Sequence, residues 1–272
     1  MHAGSNRFWK IMQDETRPSF ALAGATNFRS LGGLPTADGR RLRPHVLMRA
    51  DRLSGLSADD WNALAQTGIA TICDLRSDEE RAEHPNQPPP HLGVREMVFG
   101  IRNDLRADPT LAQLLVSDPT ARGAERVMTE IYRRLPRYMG GTLAAIADRL
   151  LEGGAPLLVH CSAGKDRTGF VIAMLLHALE VPEAIIREDY LASRRWPGAD
   201  AHRASLESRL GAVIPAHELS AAVDTVLDVR EVYFDAALEA LEAEFGSILR
   251  YLETAAGIDA VRLELLRSRL LA

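Results

Sequence analysis

The stretch of sequence that decides the fold runs from residue 157 to residue 169 and reads LLVHCSAGKDRTG. Its first residues, Leu157 to Val159, predict a very short buried strand, and the apolar run from Gly169 to Leu179 predicts a helix packed on most of its surface. The residues between them predict a loop. A strand that passes through a loop into a helix is typical of α/β proteins, so we expect such a unit with Cys161 in its loop.

This loop contains the groups that cleavage of a phosphoester by a thiol requires. Cys161 supplies the nucleophilic sulfur. Backbone N–H groups at the start of the following helix can converge on one anion, and the helix dipole favours negative charge there. Arg167 can hold two phosphate oxygens with its planar guanidinium group. The predicted phosphate-binding residues are Ser162, Ala163, Gly164, Lys165, Asp166 and Arg167.

Several neighbours are predicted to support the loop. Thr168 can donate its hydroxyl to the Cys161 sulfur, and His160 can orient the loop through its imidazole or serve only in packing. Lys165 adds positive potential at the rim. Two further residues, Asp74 and Arg76, can support the loop from a neighbouring strand end or form a purely structural salt bridge.

The loop resembles the signature of the protein tyrosine phosphatase superfamily, and its GKDRT form resembles the atypical bacterial family of tyrosine and lipid phosphatases, the mycobacterial protein tyrosine phosphatase B type. Segments resembling that family follow in the same order at residues 27–33, 47–51, 74–77 and 128–133. The resemblance implies a phosphatase fold with a central, largely parallel sheet flanked by helices. It also implies activity on phosphotyrosine, and often on phosphoserine, phosphothreonine or phosphoinositides, without a metal.

The sequence leaves open which residue protonates the leaving oxygen. Many tyrosine phosphatases carry this acid on a Trp-Pro-Asp loop before the cysteine, and no such tripeptide occurs between Val94 and Cys161. The subfamily resemblance favours Asp166, although Arg167 beside it should make that carboxyl a weaker acid. The alternatives are Asp104, Asp108 and Asp200, the last of which ends the sequence WPGAD downstream of the loop.

The rest of the chain predicts one α/β domain, 1–272, with a C-terminal helical extension. Strands are predicted at residues 43–50, 69–75 and 94–99. Capping boxes at Ser57–Asp60 and Ser77–Glu80 each open a helix, and helical spacing recurs at residues 111–116, 127–135 and 143–151. Two amphipathic helices, 201–210 and 218–229, form a predicted lid, 198–229, or belong to the ordinary core. Residues 230–272 are predicted to be helices packed on the core.

Composition narrows the class of protein further. The chain has 272 residues, 46% of them hydrophobic, and a formal net charge of -5, which argues against a basic surface for nucleic acid. Its sequence predicts no integral membrane segment. Two distant cysteines, Cys73 and Cys161, favour a reducing compartment, so we expect a cytoplasmic location, with secretion without a signal as an open alternative. The histidines lack metal-ligand spacing, so no metal and no cofactor are predicted.

Three questions stay open from the sequence. Cys73 is either a small buried residue or a thiol that traps oxidised Cys161 as a disulfide. A rhodanese-like enzyme and a non-catalytic module that binds a phosphorylated ligand are the alternatives to a phosphatase. The substrate is predicted to be a phosphorylated protein or a phosphoinositide, and the sequence carries no prediction of oligomeric state.

Overall fold

The structure is a computed structural model that describes residues 20–102 and 109–272. Its sheet is built from β1 (Arg29–Ser30), β2 (Leu47–Ala50), β3 (Thr71–Asp74), β4 (Arg95–Val98) and β5 (Leu157–His160). The strand order is β1-β2-β5-β3-β4, with β1 antiparallel to β2 and all other neighbours parallel. The predicted central, largely parallel sheet is therefore confirmed.

The strand that leads to Cys161 lies in the middle of this sheet. At the carboxyl end of β5, His160 pairs with Ala50 of β2 on one side and with Asp74 of β3 on the other. Ligands of open parallel sheets bind outside the carboxyl ends of the strands. The topology therefore places Cys161 at the carboxyl end of the sheet, where a binding site is expected.

Helices cover both faces of the sheet, because every residue of β2, β3 and β5 is buried and successive side chains point to opposite faces. Helix α1 (Ala58–Gln66) packs Trp61 and Leu64 on the face that carries Met48, Ile72 and Leu158. The opposite face belongs to the larger core, together with α4 (Ala121–Leu151) and α5 (Asp166–Ala178). The other helices are α2 (Asp78–Glu83), α3 (Pro109–Ser117), α6 (Glu183–Ala192), α7 (Ala199–Leu210), α8 (Ala216–Leu227), α9 (Glu231–Phe245), α10 (Ile248–Ala256) and α11 (Ala260–Leu270).

Helix α4 differs from the prediction, because it joins the expected segments 127–135 and 143–151 into one helix of 31 residues through Pro136. Proline in a helix interior removes a backbone hydrogen bond. Here the apolar face continues across it, with Leu135 and Met139 fully buried. The Tyr251 hydroxyl also donates to the Pro136 carbonyl at 2.9 Å. Tertiary packing thus carries the helix through a residue that ends most helices.

Two other boundaries differ from the sequence-based expectation. The strand predicted at 43–50 begins only at Leu47, since His45 has a left-handed φ of 54° and the Arg43 N–H donates to Leu270 O at 2.9 Å. Helix α5 begins at Asp166 rather than Gly169, which places Arg167 in its first turn. The C-terminal helical region is confirmed. Among the described residues, none of the helices is both long and apolar enough to cross a lipid bilayer.

Candidate active site

The loop after β5 has its backbone carbonyls tied down on its outer side. Five successive carbonyl oxygens, those of residues 161 to 165, each have a nitrogen partner behind the loop. The partners are, in order, His160 Nδ1 at 3.3 Å, Arg52 N at 3.1 Å, Asn27 Nδ2 at 2.8 Å, Arg49 Nη2 at 2.6 Å and Gly169 N at 2.9 Å.

This arrangement leaves the N–H groups for the inner side of the loop, because the N–H and C=O of a planar trans peptide point in opposite directions. Among residues 20–102 and 109–272, no acceptor is found for the N–H groups of residues 162–167. A concave row of such donors at the start of a helix binds anions. The loop backbone is therefore preorganised for a phosphate-sized anion.

Gly164 allows the loop to pass close to β2. Its φ is 66°, and a Cβ at this position would lie 2.3 Å from Ala50 O. Any other residue would therefore strain the backbone and also collide with the strand. The close approach brings the Gly164 carbonyl within reach of Arg49, whose guanidinium is fully buried and also contacts Asp189 at 2.5 Å.

Arg167 is oriented by a carboxylate that the sequence analysis did not assign to the site. Its Nη1 and Nη2 atoms lie 2.7 Å from Glu80 Oε2 and Oε1, and Oε1 also accepts the Ser162 hydroxyl at 2.5 Å. Burial opposes ionisation of both groups, but their mutual hydrogen bonds and attraction raise the pKa of Arg167 and hold the pKa of Glu80 at about 2. The pair is thus ionised throughout the neutral range.

Asp166 and Lys165 occupy the start of α5. Asp166 Oδ1 accepts the Tyr132 hydroxyl at 2.6 Å and lies 3.4 Å from Lys165 Nζ. The Lys165 ammonium does not stand free at a rim as predicted. It is buried and donates to the carbonyls of Val226 at 2.7 Å and Asp228 at 3.2 Å, at the end of α8. Its charge therefore caps that helix end while still lining the cavity.

The predicted hydrogen bond from Thr168 to the Cys161 sulfur is not formed. Thr168 Oγ1 is buried and has no hydrogen-bond partner among the described residues. Since α5 starts at Asp166, Thr168 is a helical residue of its first turn.

His160 lies behind the loop together with the two predicted supporting residues. Its Nε2 is 3.6 Å from Asp74 Oδ2 and 3.1 Å from Asn86 Nδ2. Burial lowers the pKa of His160 to about 4 despite the attraction of Asp74, so the ring is neutral near pH 7. Asp74 and Arg76 form a buried salt bridge of 2.6 Å. Within the described ranges, the pair approaches the loop through the contact of Asp74 with His160, and its supporting role stays a prediction.

A cavity of about 610 Å³ opens above the loop. Cys161, 2% exposed, lies at its floor with Asp166 and Arg167. Side chains of α3, α4, α7 and the end of α8 line it. The apolar lining consists of Ala112, Leu115, Val127, Met128, Ile131, Leu206, Leu210, Val213, Val226 and Leu227, together with Trp196.

Of the three alternative acids, Asp200 falls within the described residues, and it is not brought to this cavity. Asp200 is exposed in the first turn of α7 and does not line it. Asp104 and Asp108 lie outside the described residues. Within the ranges that the structure describes, no group of three His, Cys, Asp or Glu side chains is arranged to hold a metal ion. The absence of a metal and of a cofactor stays a prediction.

Four residues of the site were not identified as such from sequence: Asn27, Arg49, Glu80 and Tyr132. Three of them belong to segments that resembled the family, at residues 27–33, 47–51 and 128–133, so the signal was present without a role attached to it. Glu80 was identified only as the last residue of a capping box, at helix position N3, and it does form this box with Ser77. Its second contact, to Arg167, depends on the tertiary fold.

Comparison with known proteins agrees with this geometry. The model of the tyrosine phosphatase family matches residues 20–272. A protein of Cupriavidus necator with the provisional name tyrosine-protein phosphatase is 33% identical over 91% of this chain and 87% of its own. The triple specificity protein phosphatase PtpB of Mycobacterium tuberculosis is 32% identical over 92% of this chain and 98% of its own. Neither match favours a rhodanese-like enzyme or a non-catalytic module. The chain therefore belongs to the tyrosine phosphatase family and is a cysteine-dependent phosphoric monoester hydrolase.

Proposed function

We propose that this chain hydrolyses phosphotyrosine through a phosphocysteine intermediate, with Cys161 as the nucleophile. The observation that carries the proposal is the row of tied carbonyls from residue 161 to residue 165, which leaves the N–H groups of residues 162–167 without an acceptor among the described residues and available to a phosphoryl group beside Cys161. A phosphoryl group held there lies in line with the sulfur. The donors are fixed before the substrate arrives, so little reorganisation is needed in the transition state.

Arg167 completes the grip on the phosphoryl group. Glu80 occupies the edge of the guanidinium formed by Nη1 and Nη2. Among the described residues, no partner is found for the Nε–H group, and the Nη2 atom carries a second N–H besides the one that Glu80 accepts. Nε and Nη2 therefore offer two parallel N–H groups to two phosphate oxygens. In this role Arg167 stabilises the charge that builds up on the equatorial oxygens during transfer.

Asp166 carries out proton transfer in both half-reactions. In the first, the Cys161 thiolate bonds to phosphorus as the ester bond breaks, and protonated Asp166 gives its proton to the leaving oxygen. In the second, water attacks phosphorus, its proton passes to Asp166, and the Cys161 thiolate leaves. Atoms and charge balance without a metal or cofactor. Asp166 fits this role because it lines the cavity next to the loop, where Asp200 does not.

The substrate range follows from the cavity around the loop. Its apolar walls suit the ring of phosphotyrosine, and Arg52 and Arg209 at its lining suit further negative charge. We therefore include phosphoserine or phosphothreonine and phosphoinositides as further substrates, and not nucleic acid. The Mycobacterium tuberculosis relative is itself named a triple specificity phosphatase. A panel of phosphopeptides and phosphoinositides tests this range, and activity on phosphotyrosine alone would narrow it. We place the reaction in the cytoplasm.

The predicted lid, residues 198–229, would cover the site within a single domain, with residues 230–272 packed on the core. Helices α7 and α8 contribute to the cavity wall, and Lys165 fastens the end of α8 to the phosphate loop. The lid role requires α7 and α8 to move away for substrate entry. Alkylation of Cys161 should then be faster in Lys165→Gln than in the wild type, and equal rates would count against a lid.

The test of the proposed function is release of phosphate from a small aryl phosphate without added metal. The wild-type protein should turn over, whereas Cys161→Ser should bind the substrate without hydrolysing it. Robust turnover by Cys161→Ser would defeat the mechanism.

A further inference from the structure

A chain of hydroxyl groups leads from the protein interior to Asp166. The Tyr190 hydroxyl donates to the Tyr132 hydroxyl at 2.9 Å, and the Tyr132 hydroxyl donates to Asp166 Oδ1 at 2.6 Å. Tyr132 lies on α4 and Tyr190 on α6. The chain of hydroxyl groups therefore connects α4 and α6 to the Asp166 carboxylate on α5.

Both tyrosine rings are held by aromatic packing. Tyr132 is fully buried and Tyr190 is 1% exposed. The Tyr190 ring stacks on Phe234 at 4.8 Å, and the Tyr132 ring lies 5.6 Å from that of Tyr233, between ring centroids. Phe234 and Tyr233 belong to α9, the first helix of the C-terminal region. Rings packed in this way have little freedom, so the position of each hydroxyl is set by the core.

The chain of hydroxyl groups contacts only one oxygen of the Asp166 carboxylate. Within the described part of the protein, its polar contacts, from Tyr132 and from Lys165 Nζ at 3.4 Å, both go to Oδ1. Oδ2 has no such partner, and the Asp166 side chain is 24% exposed at the cavity. The carboxylate of this cavity-lining residue is thus anchored by one oxygen, which leaves the other available to a substrate.

We propose that Tyr132 and Tyr190 are positioning residues for Asp166, which they hold with Oδ2 directed at the ester oxygen and later at the attacking water. The inference rests on the role of Asp166 in the proposed function. It also gives a function to the C-terminal helices, because α9 packs the rings that fix the hydroxyl chain. A proton donor misplaced by even one ångström loses much of its effect.

The tyrosines are suited to this task because they remain protonated. Burial, followed by the nearby charge of Asp166, raises the pKa of Tyr132 well above its ordinary value, and burial likewise raises the pKa of Tyr190. Both hydroxyls are therefore protonated in the neutral range and can donate a hydrogen bond.

The test compares Tyr132→Phe and Tyr190→Phe with a matched control, Tyr233→Phe. All three keep the ring, but the Tyr233 hydroxyl donates to Thr225 O at 3.2 Å and not toward Asp166. Phosphate release is measured with two aryl phosphates, one with a good and one with a poor leaving group. The ratio of the two rates does not depend on the fraction of folded enzyme, so it separates a positioning role from a loss of stability.

We expect Tyr132→Phe to slow the poor leaving group about tenfold or more relative to the good one, since a hydrogen bond to a charged group is lost. Tyr190→Phe should have a smaller effect in the same direction, and Tyr233→Phe none. In an Asp166→Asn background the Tyr132→Phe change should add nothing, because Tyr132 acts through Asp166.

An unchanged rate ratio in Tyr132→Phe would overturn the proposal. So would a fall in the rate ratio of the same size when Tyr132→Phe is added to Asp166→Asn. If Asp166→Asn itself keeps the wild-type ratio, the positioning role fails along with the assignment of Asp166. In either case Cys161→Ser reports independently on whether the enzyme uses cysteine-based hydrolysis.

Discussion

Glu80 and Arg167 face each other as a two-point ion pair, with both nitrogen–oxygen distances at 2.7 Å. The same carboxylate accepts the Ser162 hydroxyl at 2.5 Å. Glu80 therefore contacts the phosphate loop near its beginning and at its end. A guanidinium fixed along one edge presents its other edge in a defined plane, as bidentate binding of phosphate requires.

The first prediction concerns Glu80→Gln, which keeps the size of the side chain but removes its charge. We expect kcat for an aryl phosphate to fall about tenfold or more, because Arg167 loses a charged partner on its bound edge. Steady-state kinetics checks this. Glu79→Gln is the matched control, since Glu79 lies on the same helix in an exposed pair with Arg102. Equal kinetics in the two variants would contradict the role given to Glu80.

The same pair predicts how stability depends on pH. The pKa of Glu80 in the folded protein, about 2, lies below the ordinary value of 4.5. The contribution of ionised Glu80 to the free energy of unfolding is therefore fully present above pH 4.5 and is lost as the pH falls through about 2. Urea unfolding should show a wild-type advantage over Glu80→Gln at about pH 6 that shrinks toward about pH 3. A constant difference across that range would show that Glu80 is not held ionised by Arg167.

A third prediction tests the anchoring of the loop from behind. Arg49 donates to Gly164 O at 2.6 Å and to Asp189 at 2.5 Å. Lysine cannot reach both acceptors with one planar group, so Arg49→Lys should raise the dissociation constant of inorganic phosphate by about tenfold. Isothermal titration calorimetry with inorganic phosphate measures this dissociation constant. The exposed pair of Arg203 with Asp224 offers a control, Arg203→Lys, which should bind phosphate as the wild type does. Unchanged binding in Arg49→Lys would mean that the carbonyl anchors do not shape the loop.

Cys73 supplies the fourth prediction. The thiol is fully buried on β3, and burial raises its pKa to about 12, so little thiolate is available to attack an oxidised Cys161. We expect mild peroxide to convert Cys161 to sulfinic and sulfonic acids without a link to Cys73. Mass spectrometry of the digested protein checks this. A peptide containing a Cys73–Cys161 disulfide would support the opposite view, in which Cys73 protects the nucleophile.

The sequence was most informative where chemistry depends on neighbouring residues. The loop from Cys161 to Arg167 is continuous, so its strand, its turn and its place at a helix start could all be predicted from local pattern. The parallel sheet and the C-terminal helices followed from periodicity and family resemblance. Roles that rest on tertiary contacts were not accessible. Glu80 meets Arg167 across 87 positions of sequence, and Tyr132 meets Asp166 across 34.

The predictions that differ from the structure also have physical reasons. Residues 127–135 and 143–151 were predicted as separate helical segments, but burial of Leu135 and Met139 carries α4 through Pro136 between them. Lys165 was expected at an exposed rim, and instead the carbonyls at the end of α8 attract its ammonium group. Thr168 was expected to contact the Cys161 sulfur because of its position in the motif. Local pattern thus identified these residues but not the direction of their side chains.

The most direct test of the central claim is to trap the phosphoryl group on the enzyme. Asp166→Asn should slow hydrolysis of the intermediate, so mixing this variant with an aryl phosphate, followed by acid quenching, should leave a phosphoryl group on Cys161. Mass spectrometry of the peptide that contains residues 160–168 locates it. We predict this adduct at Cys161, and none in Cys161→Ser. Turnover by the wild-type enzyme with no phosphoryl group ever found on Cys161, together with an active Cys161→Ser, would contradict the account.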